Sequence, residues 1–315
     1  MQLPYGFRTT AAYTAVQYMN NPVITFFMIV TDPDVIIGDY AVRSYAKIKD
    51  VAFVLRIYPN WLSPNLKKQY FPNWLKLPYV EIVNNDWQDN SEKPRNPEFE
   101  GPFEKCTAIW DRELRKITTP YHATVDADFE VLDGKFVSAM LSLLEKKPET
   151  VAMSTDYSPR SDNYFDTYSN EIICLNERWH TWFCIYRLDA CKCTVSHFYH
   201  EELVDGPVRR NAWDSCGYFQ RSLKKDFGYS LAVLDKTYQP CFIHYGAFSK
   251  NLNITGSNIG AYRRLRILGK RGLFGNRDIL GRGISRVFLP LLFPKTSRRH
   301  YWNGWGGSIP STGGK

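Results

Sequence analysis

Two aspartates carry the most chemical information in this sequence. Asp126 and Asp128 stand two residues apart, directly after the β-rich run Tyr121-His-Ala-Thr-Val125 and ahead of an amphipathic helical stretch from Phe136 to Lys147. A strand that delivers two carboxylates at its C-terminal end builds an oxygen-rich site for Mn²⁺ or Mg²⁺. Such ions bridge phosphate groups and neutralise charge on a departing diphosphate. An Asp-x-Asp pair on its own is a common feature of solvated turns; the strand before this pair and the helix after it set it apart. Asp133 reads as a helix cap rather than a member of the site.

The elements that must position these carboxylates follow a regular alternation. Val23-Ile-Thr-Phe-Phe-Met-Ile-Val30 is a continuous apolar run ending in Thr31-Asp-Pro-Asp34, as expected of a strand buried on both faces. A helix is expected over Ile36 to Lys49, a second strand over Val51 to Tyr58, and an irregular helix over Pro64 to Leu75, interrupted by Pro72. Tyr79 to Val83 reads as a third strand, Phe103 to Lys116 as a helix, and Tyr121 to Val125 as a fourth strand. Val151 to Thr155 follows as a fifth. Strands alternating with helices at this spacing imply a doubly wound, mostly parallel α/β sheet, in which ligands bind beyond the C-terminal strand ends. After residue 156 the rhythm changes. Ile172 to Val195 is dense in aromatics and cysteines with strand-like character, Ala212 to Lys225 returns to helix, and Tyr229 to Leu234 and Cys241 to Tyr245 close the pattern as strands.

Composition sets the outer limits. The chain has 315 residues, 44% hydrophobic and 23% charged, with 20 Gly and 18 Pro, which excludes collagen-like, low-complexity and wholly disordered classes. Its longest apolar runs are far short of the roughly 18 to 20 residues that span a bilayer. The N-terminal Met-Gln-Leu-Pro-Tyr-Gly-Phe-Arg has none of the features of a secretory signal, so a cytoplasmic location is expected. Seven scattered cysteines read as free, buried thiols. Cys191 and Cys193 would share one face of a strand.

The net charge of +8 points to an anionic partner. Eleven Lys and Arg against the single acid Asp278 lie between Ala261 and His300, so this segment holds the whole excess. Its basic residues are interleaved with Leu, Ile and Phe, which suits either an anionic membrane surface or packing on its own domain. Nucleic acid is not the expected partner, because no recognised binding module precedes the segment.

The strand-helix-strand order from residue 23, followed by Thr119-Pro-Tyr-His-Ala-Thr-Val-Asp-Ala-Asp-Phe-Glu-Val-Leu132, resembles the nucleotide-sugar-binding half of GT-A glycosyltransferases, in particular the family 2-like inverting enzymes with a DXD motif. The resemblance continues at Trp213-Asp-Ser-Cys-Gly-Tyr-Phe-Gln220, Lys224-Lys-Asp-Phe-Gly228 and Ile243-His-Tyr-Gly-Ala-Phe-Ser249, and covers roughly residues 20 to 250. It implies a GT-A fold over residues 1–258. Residues 20–156 would form the nucleotide-sugar half and 157–258 an acceptor-side elaboration, with 259–315 as a basic C-terminal tail.

Carried over position by position, the resemblance makes Asp128 a metal ligand, Asp126 a ligand of the metal or the nucleotide ribose, and His244 a third member of the metal or diphosphate site. Asp214 would take the proton from an acceptor hydroxyl; it also suits a helix N-terminal acid, and Glu201, Glu202 and Asp205 are rival bases. Thr31 and Asp32 would contact the nucleotide, and Lys105 the diphosphate. The implied donor is a nucleoside diphosphate sugar, and the acceptor a glycan or lipid-linked glycan. The chain departs from the family after its second strand, where Tyr58-Pro-Asn-Trp61 stands in place of an acidic base-reading element. Trp179, His180, Trp182, Tyr186 and Trp213 suit either stacking on sugar rings or a hydrophobic core. Two other readings remain: a retaining transferase of the same fold, which needs no base, and a non-catalytic protein that binds a membrane surface or nucleic acid through its basic tail.

Overall fold

The computed structural model describes residues 21–83, 99–100, 103–104, 106–155, 163–166, 171–174, 179–193, 216–245 and 259–270. The chain divides into two compact units, Met1–Asn85 with Cys106–Gly246, and Asp86–Lys105 with Ala247–Lys315.

In the first unit, β1 (Ile24–Val30), α1 (Val35–Ser44), β2 (Phe53–Pro59), α2 (Pro64–Trp74) and β3 (Val80–Ile82) follow one another as the apolar pattern requires. In the second unit the described elements are β4 (Phe99–Glu100), β5 (Phe103–Glu104) and a basic helix at Ile259–Lys270. The first unit resumes with α3 (Cys106–Leu114), β6 (Tyr121–Asp126), β7 (Phe129–Val131), α4 (Lys135–Lys146), β8 (Thr150–Ser154), β9 (Asn163–Asp166) and β10 (Glu171–Cys174). It closes with β11 (Phe183–Arg187), α5 (Leu188–Cys193), α6 (Gly217–Lys225), β12 (Ser230–Val233) and β13 (Phe242–His244). The helix at Ile259–Lys270 is α7.

Seven strands form the main sheet in the order β12-β8-β11-β6-β1-β2-β3. Neighbours pair in parallel except β11, which runs antiparallel to both β6 and β8. The expected α/β class and doubly wound, mostly parallel sheet are therefore present. Alternate residues of β1 serve opposite faces: Phe26, Met28 and Val30 join one core with α1, α2 and α4, while Phe27 joins a second with α3 and α6. Burial on both sides is the reason the strand reads as an unbroken apolar run. Among the described cysteines, Cys184, Cys191, Cys216 and Cys241 are buried and form no disulfide.

Several boundaries differ from expectation for identifiable reasons. Pro72 lies inside α2 without interrupting it, near the C-terminal end. Phe103 and Glu104 pair with Phe99 and Glu100 as a short antiparallel ladder, and the helix begins only at Cys106. Cys191 and Cys193 lie on α5, so the shared strand face expected of them does not exist. The N-cap position of α4 is Gly134 rather than the expected Asp133, which stands one residue earlier and accepts the Lys135 N–H at 3.1 Å. At Gly134 an added Cβ would collide with the backbone of Lys47 and Ile48, so only glycine lets α4 start there.

Some strands have no counterpart in the sequence pattern, β7 among them. β7 leaves the main sheet and pairs antiparallel with β13, placing His244 opposite Phe129 and Ile243 opposite Glu130. Its other side is clasped by the end of α1 and the turn after it. The Val131 N–H donates to Ser44 Oγ at 2.9 Å, and Lys47 Nζ donates to the Val131 carbonyl at 2.9 Å.

Candidate metal centre

The main sheet places β1 beside β6, with Ile29 opposite Asp126. The chain winds outward from β1 in one direction through β2 and β3, and in the other through β6, so the order reverses between β1 and β6. In open α/β sheets the crevice beyond the C-terminal strand ends at this switch point is the ordinary place for a ligand. Asp126 is the last residue of β6, and its N–H is bound to the Trp182 carbonyl at 2.9 Å. Two residues later Asp128 is anchored through its own carbonyl, which accepts the Tyr245 N–H at 3.0 Å.

That last contact brings the preceding residue, the last of β13, into play. His244 Nε2 lies 3.2 Å from Asp128 Oδ1 and 3.3 Å from Asp126 Oδ2. Among the described residues, Asp126, Asp128 and His244 form the one group of three metal-binding side chains, with ligand atoms all within 4.8 Å of one another. The two carboxylates differ in setting: the Asp128 side chain is 8% exposed and that of Asp126 44%. Asp128 is thus the fixed, interior member and Asp126 the open one.

Electrostatics follow from this packing. Burial alone would push the His244 imidazole down, but its contacts with Asp126 and Asp128 outweigh burial and raise it to about 9. The imidazolium offsets two carboxylates held close together. A divalent cation offers the same compensation with more charge, and two carboxylate oxygens with one imidazole nitrogen are a donor set that suits Mn²⁺. The residues present therefore fit the metal implied by the sequence.

A second layer holds the histidine. The Trp182 ring lies 4.3 Å from that of His244, and His180 stacks on Trp182 at 3.6 Å with an interplanar angle of 11°. This segment is tied down by Thr124 Oγ1, which donates to the Thr181 carbonyl at 2.8 Å, and by Ser154 Oγ, which donates to the His180 carbonyl at 2.7 Å. Tyr245, next after His244, donates its hydroxyl to buried Glu130 at 2.7 Å. Neither Glu130 nor Tyr245 stood out in the sequence. The available signal was adjacency, since one follows Phe129 and the other follows His244.

The other expected residues separate into two groups. Asp32 Oδ1 accepts the Ser63 N–H at 2.6 Å, so this carboxylate ties the loop after β1 to the start of α2. Thr31 Oγ1 donates to Asp34 Oδ2 at 2.6 Å. Both stand at the C-terminal edge of β1, in the same unit as the triad. Asp214, Lys105, Trp213, Glu201, Glu202 and Asp205 lie outside the described residues. Of the aromatics left between two roles, Trp179 and Tyr186 are buried, whereas Trp182 and His180 are partly exposed next to the triad.

No protein-family model matches the chain, and no curated protein matches it. Among solved structures it is similar to a mannosyltransferase from Pyrobaculum calidifontis in complex with GDP-Man and Mn²⁺. That similarity has 12% identity and a TM-score of 0.44 over 70% of this chain and 56% of the other. It is also similar to glucosyl-3-phosphoglycerate synthase from Mycobacterium tuberculosis in complex with Mn²⁺, UDP and glucosyl-3-phosphoglycerate. The values there are 12% identity and a TM-score of 0.43, over 94% of this chain and 93% of the other. A third is the galactosyltransferase LgtC in complex with donor and acceptor sugar analogues, at 13% identity and a TM-score of 0.33, covering 52% and 58%. The chain thus spans just over half the length of the mannosyltransferase and the galactosyltransferase. Among the described residues, no helix is long and apolar enough to cross a membrane.

Proposed function

We propose that this chain is a metal-dependent glycosyltransferase of GT-A type. It would move a sugar from a nucleoside diphosphate sugar to a hydroxyl of a glycan or lipid-linked acceptor. The observation that carries the reading is the convergence of Asp126, Asp128 and His244 beyond the end of β6, at the point where the strand order reverses. The sequence resemblance around Asp126-Ala-Asp128 supports it independently.

Asp126, Asp128 and His244 would hold Mn²⁺ or Mg²⁺, which when bound supplies positive charge against the diphosphate leaving group. Asp128 fixes the position from the interior. Asp126, with its greater exposure, would share its carboxylate between the cation and the ribose. Asp32 holds the loops after β1 and β2 together, which shapes the nucleotide side, and Thr31 and Lys105 are carried over as nucleotide and diphosphate contacts. Asp214 is carried over as the general base that takes the acceptor proton, which makes the displacement direct and the outcome inverting. The basic segment 261–300 would keep the enzyme peripheral on an anionic cytoplasmic membrane face, where a lipid-linked acceptor resides.

The test is release of nucleoside diphosphate from UDP-, GDP- and dTDP-sugars, with Mn²⁺ and with chelator, for wild type, Asp128→Ala and Asp214→Asn. The expected result is turnover of one donor that needs metal and is lost in Asp128→Ala. Turnover kept in Asp214→Asn, with the product anomer retained, would replace the inverting mechanism by a retaining one. Activity towards no donor, together with function that survives Asp128→Ala and fails on charge reversal in residues 261–300, would establish the non-catalytic reading.

A further inference from the structure

Tyr245 takes hold of one short stretch of chain at two points. Its N–H donates to the Asp128 carbonyl at 3.0 Å, and its hydroxyl donates to Glu130 Oε2 at 2.7 Å. Between these two acceptors stands Phe129, which pairs with His244, the residue just before Tyr245. Both partners of the hydroxyl bond are buried, Tyr245 at 4% and Glu130 at 1% exposure. A carboxylate at that depth is costly to keep, and an apolar pair of similar volume often holds two strands together as well or better. Stability is therefore a weak reason for this pair. What it supplies is direction, since the bond fixes the tyrosine ring and with it the backbone that carries His244.

The rest of β7 is tied down in the same way. Val131 is held at its N–H by Ser44 and at its carbonyl by Lys47, and the Leu132 and Asp133 N–H groups both donate to the Cys241 carbonyl, at 2.7 and 2.9 Å. The far end of β7 is thus anchored to the end of α1 and the chain before β13, and the end nearer Asp128 is anchored by Tyr245. Movement at that nearer end changes the gap between Asp128 and His244, now 3.2 Å. Metal ligands tolerate errors of only about 0.2 Å. Resting on the metal-binding reading above, we infer that Tyr245 and Glu130 are a positioning pair, which acts on the cation only through the spacing of Asp128 and His244.

The test measures Mn²⁺ binding to the full chain by paramagnetic resonance, with affinity taken from the free ion and site symmetry from the spectrum of the bound ion. Tyr245→Phe and Glu130→Leu each break the bond, whereas Glu130→Gln keeps an oxygen to accept it. Tyr79→Phe is the control, since it deletes another buried hydroxyl of the same unit, one that donates to the Val42 carbonyl at 3.2 Å. The inference predicts that each bond-breaking variant loses about tenfold in Mn²⁺ affinity and alters the bound-ion spectrum. Their combination should lose no more than either alone. Glu130→Gln should keep most of the affinity with the wild-type spectrum, and Tyr79→Phe should change neither, whatever it does to the urea midpoint. Wild-type affinity and spectrum in folded Tyr245→Phe or Glu130→Leu would overturn the inference and leave the metal reading intact. So would an equal loss in Tyr79→Phe, which would make the effect one of general stability, or in Glu130→Gln, which would make it one of charge. A wild type that binds no Mn²⁺ would instead overturn the metal reading, and the inference with it.

Discussion

β6 carries a buried histidine near its start and ends beside a partly exposed one, and the proton affinities of the two are shifted in opposite directions. His122 lies on β6 between the Phe27 and Tyr186 rings, at 6.2 and 5.2 Å, and burial together with nearby Lys192 pushes it down to about 3. His244 comes from β13 to the end of the same strand, where two carboxylates raise it to about 9. Burial by itself expels charge from an imidazole; burial beside a carboxylate pair draws charge in, as a proton or as a cation. The first arrangement belongs to a core and the second to the proposed metal site, although the residue type is the same.

The sharpest way to break this contrast is to remove the second histidine. His244→Ala should lower Mn²⁺ affinity by at least a hundredfold, measured from the free-ion signal in paramagnetic resonance titrations, since one of the three proposed ligands is lost. Next comes the support. Trp182→Leu, which removes the ring against His244, should cost about tenfold in the same titration, the scale typical of groups that orient a metal ligand.

A pH titration of the metal-free protein separates the two histidines by sign. His244 is raised above its unfolded value near 6.5, so its contribution to stability is fully present below that pH and is lost as pH rises through about 9. His122 is depressed, so the unfolded chain binds the proton first, and stability is lost as pH falls from about 6.5 towards 3. Urea unfolding across pH 4 to 10 should show both slopes, with His244→Gln flattening the alkaline one. The smallest effect is expected from His122→Phe, which should change Mn²⁺ affinity less than threefold. A larger change would mean that the interior of β6 and its end are one coupled site.

How much of this could be read from the residues alone depended on how local the cause was. β1 announces itself because burial on both faces leaves a nearly unbroken apolar run, β2 and β6 through runs rich in β-branched and aromatic residues, and Asp126 and Asp128 are legible because they come at the end of one of these strands. β7 is not legible: its pairing with β13 joins residues more than a hundred positions apart, and three residues carry too little pattern to mark a strand. That pairing is what delivers His244 to the aspartates, so the sequence offered the histidine only through family resemblance. Trp182 and Trp179 look alike in the sequence, yet one borders the triad and the other is buried in the core; contacts from β8 and β6 to the segment before β11 make the difference. The left-handed turn at Trp61 is set by anchors on β1 and the loop after it, which no local propensity for Trp could suggest.

The central claim is that Asp126, Asp128 and His244 bind a metal together with the diphosphate of a nucleotide. Calorimetric titration of UDP, GDP and dTDP, each with and without Mn²⁺, into wild type and Asp128→Ala tests it most directly. The account predicts metal-dependent binding of one nucleotide to wild type that disappears in a folded Asp128→Ala variant. Binding of none of them to the folded wild type, or binding that Asp128→Ala leaves unchanged, would contradict it.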